Sequence, residues 1–165
     1  MSFALWLTGR PASGKSAIAR ELIGLLHQRG VHASVLESDV MRTQLTPFPR
    51  YDDADRAFFY GALADIGTLL VPRRPVVFDA TANRRAYRDR ARKAIERFLE
   101  IYVDTPLETC KARDPKGLYR GGMNVAYEPP VAPELVIQGE RTSPLDAARE
   151  LIALLERRGW VDLPQ

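Results

Sequence analysis

Residues 9–16 have the sequence GRPASGKS, with the spacing G-x-x-x-x-G-K-[ST] of a phosphate-binding loop. Glycine at the two fixed positions lets the backbone curl so that successive N–H groups point at phosphate oxygens. Lys15 can then reach the β- and γ-phosphates of a nucleoside triphosphate, and the Ser16 hydroxyl can ligate Mg²⁺. A glycine-rich turn that only caps a helix is the alternative, but the strand and helix predicted on either side favour the phosphate site. Its predicted contacts are Gly9, Ala12, Ser13, Gly14, Lys15, Ser16 and Ala17.

Two aspartates stand at the ends of other predicted strands, where a phosphate loop needs chemical partners. Asp39 follows the second strand in LESDVMR, and it could accept a proton from an acceptor hydroxyl or help to hold Mg²⁺. Alternatively, Asp39 opens a helix as its N-cap and lies near Arg42 one turn later. Asp79 ends the strand VVF, where it organises the metal or caps a helix that begins near Asn83.

A run of arginines follows Asp79 on a predicted helix. We expect most of this charge to form a solvated face, while one or two side chains bind a substrate anion. Arg84 and Arg88 are the candidates for that role. Arg56 follows Asp55 inside another helix, and it either forms an ordinary surface pair or meets an acceptor phosphate.

The elements that must position these residues alternate between short strands and longer helices. The predicted strands are residues 3–7, 32–36, 76–78, 98–103 and 135–137. The predicted helices are residues 13–30, 51–70, 82–97, 106–113 and 144–158. Strands separated by helices predict an α/β fold with a parallel sheet covered on both faces, and ligands bind such sheets at the carboxyl ends of the strands. The phosphate loop, Asp39 and Asp79 all fall at those ends.

Length and composition indicate a globular protein with one domain over residues 1–165. The formal net charge of +3 suits an anionic ligand but is too small to indicate nucleic-acid binding. The single cysteine, Cys110, cannot form an internal disulfide and fits a reduced cytoplasm, and we expect no membrane span. One long irregular stretch, residues 114–133, exceeds ordinary loop length and is interpreted as a lid.

Among proteins that carry such a loop, a kinase of small molecules is the simplest interpretation. The sequence has no NKxD-like segment to select guanine, which argues against a GTPase switch. The chain is also short for a motor core with its sensor elements. A nucleotide-binding regulatory protein without turnover is a further alternative, and the presence of Lys15, Ser16 and Asp39 disfavours it.

Longer motifs resemble the adenylylsulfate (APS) kinase family. Residues 100–120, EIYVDTPLETCKARDPKGLYR, match the family's strand ending in V-D-x-P-L and the following C-x-x-R-D-x-K-G-L-Y. The opening LWLTGRPASGKSAIA and the closing APELVIQGERTSPLDAA match as well, so the resemblance covers nearly the whole chain. It implies a P-loop NTPase fold of three α/β/α layers with a five-stranded parallel sheet. The implied reaction transfers the γ-phosphate of ATP to the 3′-hydroxyl of adenylylsulfate, and a homodimer is compatible with it.

The resemblance also suggests roles for individual residues. Lys15 and Asp39 are the implied catalytic residues, and Ser16 and Asp39 are the implied Mg²⁺ ligands. Beyond the loop, the stretch around the ATP adenine contains Arg113, Lys116 and Gly117. We expect the small-molecule acceptor to contact Asp39, Arg42, Tyr51, Arg56, Thr81, Asn83 and Arg84.

Departures from the family pattern fall on the acceptor side. Glu37-Ser38-Asp39 replaces D-G-D, Phe59 stands where asparagine is expected, and residues 80–83 (ATAN) replace I-S-P-Y. The lid is shorter, with GGMNVAYEPP at residues 121–130, and it lacks the phenylalanine expected to stack on the adenine of the acceptor. Losing such a stack corresponds to roughly 1–3 kcal/mol. The acceptor is therefore adenylylsulfate or, alternatively, another nucleotide-linked metabolite or a small alcohol in a specialised pathway.

Overall fold

The computed structural model describes residues 2–122 and 126–162, in which five strands form one sheet. The strands are β1 (Ala4–Thr8), β2 (Ser34–Glu37), β3 (Val76–Asp79), β4 (Phe98–Asp104) and β5 (Leu135–Gln138). The helices in those ranges are α1 (Lys15–Gln28), α2 (Ser38–Leu45), α3 (Asp53–Leu70), α4 (Arg85–Ala94), α5 (Leu107–Arg113) and α6 (Pro144–Arg157). All neighbouring strands are parallel, in the order β2-β3-β1-β4-β5, which confirms the predicted α/β fold. None of these helices is long and apolar enough to cross a lipid bilayer.

β1 is the central strand, and the alternation of its side chains supplies both cores. Leu5 and Leu7, together with the preceding Phe3, join an apolar cluster with residues of α1 and α6. Ala4 and Trp6 join a second cluster on the opposite face, with residues of α3 and α4. A strand covered on both faces must be apolar throughout, and every residue of β1 is buried. The continuous apolar run before the phosphate loop is therefore what the centre of the sheet requires.

The sheet divides at β1, where the phosphate loop begins. β2 and β3 lie on one side of β1, and β4 and β5 lie on the other. In such sheets a crevice opens outside the carboxyl ends of the strands at this division. The register pairs Asp79 of β3 with Leu7 on one side and with Glu37 of β2 on the other. The ends of these three strands therefore deliver their following residues to the same crevice.

The observed helices differ from the predicted ones around α2 and α4. The sequence prediction gives no bounds for a helix at residues 38–45, because this short helix has no fully buried residue and packs on the second core only through the partly buried Met41 and Leu45. α4 begins at Arg85, since Ala82 has φ +42° and Arg84 is extended. Asp79 is therefore too far from α4 to cap it, and that interpretation is wrong. The N-cap of α2 is Glu37, so the interpretation of Asp39 as an N-cap is also wrong.

α3 approaches the sheet closely at Gly67. A Cβ atom there would lie 2.0 Å from Cζ of Phe78 in β3. The Phe78 ring stacks on Trp6, with ring centroids 4.3 Å apart, and the Trp6 indole N–H donates to the Ala80 carbonyl at 3.0 Å. Because both rings are fully buried, glycine at position 67 allows the helix to pack closely on β3.

Gly67→Ala is expected to lower the free energy of unfolding by about 1–3 kcal/mol, because the added methyl group must displace the Phe78 ring. Gly24→Ala in α1 is the matched control, since a Cβ at Gly24 would meet no atom within 4 Å. The control should raise the free energy of unfolding by about 0.5–1 kcal/mol through helix propensity. Urea denaturation of the wild type and both variants measures the two effects. An unchanged midpoint for Gly67→Ala would contradict the close packing of α3.

Candidate functional site

A cavity of about 540 Å³ lies at the carboxyl ends of the strands. Most of the predicted site residues line it: Ala12, Ser13, Gly14, Lys15, Ser16, Ala17, Asp39, Arg42, Tyr51, Arg56, Thr81, Asn83, Arg113 and Lys116. The predicted residues Gly9, Arg84 and Gly117 are not among the lining residues. The lining also includes residues to which sequence analysis gave no place in the site, among them Glu37, Tyr60 and Asp114.

Backbone geometry explains the glycines of the phosphate loop. Gly14 has φ +106°, in the left-handed region that favours glycine. Gly9 lies behind the cavity, where a Cβ atom would be 2.5 Å from the carbonyl oxygen of Val103 in β4. Between them, Ala12 has φ +63°, which is uncommon for a residue with a side chain. The loop is therefore tightly curled and pressed against the sheet.

The ammonium group of Lys15 lies inside the phosphate loop. The Nζ atom donates to the carbonyl oxygens of Gly9 at 3.0 Å and Arg10 at 2.9 Å, and to Oγ of Ser13 at 3.4 Å. Burial away from water lowers the pKa of Lys15 to about 8, and the negative charge of Asp79 acts in the opposite direction. A buried cation that is held only by neutral oxygens is well prepared to exchange them for the oxygens of a phosphate anion.

Ser16 and Asp79 form the part of the site that can hold a metal ion. The Ser16 hydroxyl donates a hydrogen bond of 2.7 Å to Oδ2 of Asp79, which is buried at the end of β3. A hydroxyl and a carboxylate are oxygen ligands of the kind that Mg²⁺ prefers, so the pair fits the predicted ion. Asp79 is the aspartate that the sequence also suggested as a metal organiser. Asp39, predicted as the second ligand, lines the same cavity but contacts Lys116.

Asp39 lies in the first turn of α2 and contacts Lys116, which also lines the cavity. Its carboxylate forms an ion pair with Lys116, and this hydrogen bond raises the pKa of Lys116. Both side chains are about half exposed, so the ion pair contributes little to stability. Arg42, which the sequence places beside Asp39, pairs instead with Asp55 at 3.5 Å.

Asp114 organises the segment that follows α5 and carries Lys116. Its carboxylate accepts hydrogen bonds from the N–H groups of Leu118, Tyr119 and Arg120 at 2.7–3.2 Å. The Tyr119 hydroxyl then donates to the carbonyl of Pro11 at 2.9 Å, which ties this segment to the phosphate loop. Sequence analysis misses this role, although the order Asp-Pro-x-Gly is typical of a turn and could have indicated it.

The segment between β3 and α4 forms a wall of the cavity, and the buried Arg88 stabilises this wall by hydrogen bonds. Arg88 is buried, and its guanidinium donates to Oε1 of Glu100 at 2.6 Å. Two further bonds reach the carbonyl oxygens of Ala82 at 2.6 Å and Glu128 at 2.8 Å. The hypothesis that Arg88 binds a substrate anion is therefore wrong. The other candidate, Arg84, pairs with Asp53 at 2.9 Å outside the cavity.

The second part of the predicted lid packs against this wall. The Asn83 side-chain amide donates to the carbonyl of Ala126 at 3.3 Å, and the Glu128 N–H donates to the Asn83 carbonyl at 2.8 Å. The hydroxyl groups of Tyr127 and Thr8 form a hydrogen bond of 2.8 Å. Hydrogen bonds that join the side chain and the main chain of Asn83 to the backbone of the lid thus hold Asn83 at the cavity. Within the lid, Met123, Asn124 and Val125 lie outside the described residues.

Comparison with known proteins relates this chain to kinases. The sequence model of the adenylylsulphate kinase family matches residues 1–138. The APS kinase CysC of Mycobacterium tuberculosis, solved in complex with AMPPNP and APS, is similar with a TM-score of 0.85 and 34% identity over 94% of this chain and 98% of that chain. The crystal structure of APE1195 gives a TM-score of 0.86 and 32% identity over 94% and 96% of the two chains. A gluconokinase from Sinorhizobium meliloti, with 22% identity and a TM-score of 0.64 over 95% and 93%, shares the fold.

Arg88→Met is expected to lower the free energy of unfolding by about 3 kcal/mol, because it leaves the buried carboxylate of Glu100 without its shortest partner. Arg90→Met in the same helix is the matched control, since Arg90 pairs with Asp65 at the surface. The control should leave the urea midpoint nearly unchanged. Equal midpoints for the two variants would show that the Arg88 pair does not hold the wall.

Proposed function

Because the chain belongs to the adenylylsulphate kinase family, we propose that it transfers the γ-phosphate of ATP to the 3′-hydroxyl of adenylylsulfate. The product would be 3′-phosphoadenylylsulfate. The observation that carries the proposal is one cavity that joins a phosphate loop to a second half lined by Asp39, Arg42 and Arg56. A phosphotransferase needs such a joint site, because donor and acceptor must meet in line.

The donor half is assigned to ATP. Lys15 exchanges its hydrogen bonds with the loop for contacts to the β- and γ-phosphates, and the positive end of α1 adds to the attraction. Ser16 and Asp79 are the residues that would hold Mg²⁺, which neutralises charge on the phosphates when it is bound. Arg113 and Lys116 line the same cavity, as expected of the stretch around the adenine.

The acceptor half is assigned to an anionic alcohol. Arg42 and Arg56 supply positive charge for the anionic group, and Asp39 orients or deprotonates the reacting hydroxyl. Asn83 and Thr81 offer polar groups on the wall that Arg88 supports. In the same region Lys116 already contacts Asp39, so the cation and the carboxylate are within reach of one ligand.

A different acceptor is the alternative, and one observation favours it. Phe59 occupies the position of the family's asparagine, and it is completely buried. A buried phenyl ring cannot offer the polar contacts of an amide, so the acceptor half differs in chemistry from the family pattern. Other nucleotide-linked metabolites and small alcohols therefore belong in the test. An ATP-binding regulatory protein is less well supported, because the buried Lys15 and the hydrogen-bonded pair of Ser16 and Asp79 supply the proposed phosphate and Mg²⁺ contacts of a transfer site.

The proposal includes a small-molecule acceptor, the cytoplasm as the site of reaction, and no nucleic-acid partner. The homodimer also stays a prediction, which sedimentation of the purified protein can test.

A coupled assay of ADP release, with ATP and Mg²⁺, tests the proposed function. Adenylylsulfate should stimulate ADP release above the rate without acceptor. Other nucleotide-linked acceptors and simple alcohols are compared at the same concentration. Stimulation by one of these alone, with none by adenylylsulfate, would contradict the proposed acceptor and support the alternative.

Lys15→Ala is expected to lower kcat/KM by about 100- to 1,000-fold on any acceptor, because the phosphates lose their buried cation. Lys111→Ala is the matched control, since Lys111 pairs with Glu108 on the exposed side of α5. Steady-state kinetics of both variants measure the difference. Turnover in Lys15→Ala at the rate of the control would rule out a role for this lysine in transfer.

Asp39→Asn and Asp79→Asn should separate the two aspartates. Asp39→Asn is expected to lower kcat by at least about 100-fold while the KM for ATP stays unchanged, because it removes a proton acceptor. Asp79→Asn should instead raise the Mg²⁺ concentration needed for half-maximal rate, because an amide is a weaker ligand than a carboxylate. Initial rates over ATP and Mg²⁺ titrations distinguish the outcomes. Near wild-type kcat in Asp39→Asn would mean that Asp39 serves only as a partner of Lys116.

A further inference from the structure

Aromatic rings surround the guanidinium group of Arg42 in the acceptor half. The central carbon of the guanidinium lies 4.1 Å from the ring centroid of Phe59, 4.9 Å from that of Tyr51 and 5.8 Å from that of Tyr60. All three distances fall within the range of cation–π attraction. Because the N–H donors of a guanidinium lie in its plane, rings that pack against its faces leave its edge for hydrogen bonds.

The carboxylate nearest to Arg42 holds it only loosely. Nη1 of Arg42 lies 3.5 Å from Oδ2 of Asp55, whereas a strong bond between arginine and a carboxylate measures about 2.7–2.9 Å. The same oxygen of Asp55 also accepts the Tyr51 N–H at 3.2 Å. Arg42 nevertheless lines the cavity with only 12% of its side chain exposed. Tyr60, which also lines the cavity, is a further hydrogen-bond partner of Arg42. The guanidinium is therefore not consumed by a strong internal ion pair and is available to a ligand in the cavity.

Phe59 makes the shortest of the ring contacts and is itself out of reach of any ligand. It is completely buried in the core between α3 and the sheet. Its effect on the acceptor must therefore pass through its neighbours that line the cavity, Arg42 at 4.1 Å and Tyr60, whose ring centroid is 5.1 Å away. The next residue on α3, Phe58, is 62% exposed and provides a natural comparison.

We propose that Phe59 is a positioning residue that holds Arg42 on its ring, away from full pairing with Asp55, so that the arginine edge binds the anionic group of the acceptor. The inference rests on the proposed function, because it assumes an anionic acceptor in this half of the cavity. Without the ring, the guanidinium can settle into a bidentate pair with Asp55, and its donors are consumed inside the protein. The substrate class that this arrangement favours is an alcohol with a sulfate or phosphate group that reaches the arginine edge.

Phe59→Leu tests the proposal, because leucine keeps an apolar side chain and removes the π face. The KM for adenylylsulfate should rise roughly 3- to 30-fold, the range expected for a lost desolvated cation–π contact. The KM for ATP should not change, and Phe58→Leu should behave as wild type in both. Equal increases in both KM values would indicate a general loss of structure and would overturn the positioning role.

A second substitution distinguishes positioning from packing. Asp55→Asn keeps the shape of the side chain and its acceptor for the Tyr51 N–H, but it removes the charge that competes for Arg42. If Phe59 acts by keeping Arg42 away from Asp55, the double variant Asp55→Asn/Phe59→Leu should recover most of the acceptor affinity lost in Phe59→Leu. Additive losses in the double variant would contradict the proposal.

Sulfate ion provides a probe that does not depend on the acceptor being adenylylsulfate. With AMPPNP and Mg²⁺ occupying the phosphate loop, sulfate is titrated into the wild type, Phe59→Leu, Phe58→Leu and the double variant. We expect weaker sulfate binding in Phe59→Leu alone, by the same 3- to 30-fold. If wild type binds sulfate but shows no turnover with adenylylsulfate, the proposed acceptor is wrong while the role of Phe59 stands. Equal sulfate affinity in wild type and Phe59→Leu, or none in wild type, would overturn the inference.

Discussion

The buried guanidinium of Arg88 is the contact on which the acceptor side of the molecule depends. A charge without partners in this position would cost several kcal/mol, so Glu100 and two backbone carbonyls must converge on it. These partners come from β4, from the segment after β3 and from the end of the lid. A single side chain of α4 thus holds three separate stretches of chain together. The position of Asn83 in the cavity wall follows from that convergence.

The two halves of the cavity are held by different parts of the sheet. The phosphate loop leaves β1, is pressed against β4 at Gly9, and is tied to the segment after α5 through Tyr119. The proposed acceptor half is formed by α2, α3 and the wall after β3. The hydrogen bond between Ser16 and Asp79 joins the start of α1 to the end of β3, where the wall begins. A departure from the family pattern in the proposed acceptor half, such as Phe59, can therefore leave the geometry of the phosphate loop unchanged.

Local signals in the sequence predicted β1, the phosphate loop and α1, because each depends on neighbouring residues. The choice between Asp39 and Asp79 as the partner of Ser16 could not be made in the same way. It follows from the register of β3 beside β1 and β2, which no local pattern contains. The roles of the arginines in α4 could not be predicted either. Arg88 and Arg90 lie on different faces of the helix, and only the packed structure shows that Arg88 meets Glu100 while Arg90 meets Asp65 at the surface. The bounds of α2 could not be predicted, because it is short and has no fully buried residue.

The intrinsic fluorescence of Trp6 can report on the end of β3 around Asp79. Its indole is fully buried, stacks on Phe78 and donates to the carbonyl of Ala80, so it sits directly beneath the residues that flank Asp79. The only other tryptophan, Trp160, packs on Phe3 in the opposite core. Replacing Trp160 with phenylalanine would leave one emitting indole in the chain. Its emission would then register movements of the wall between the two halves of the cavity, with no label added.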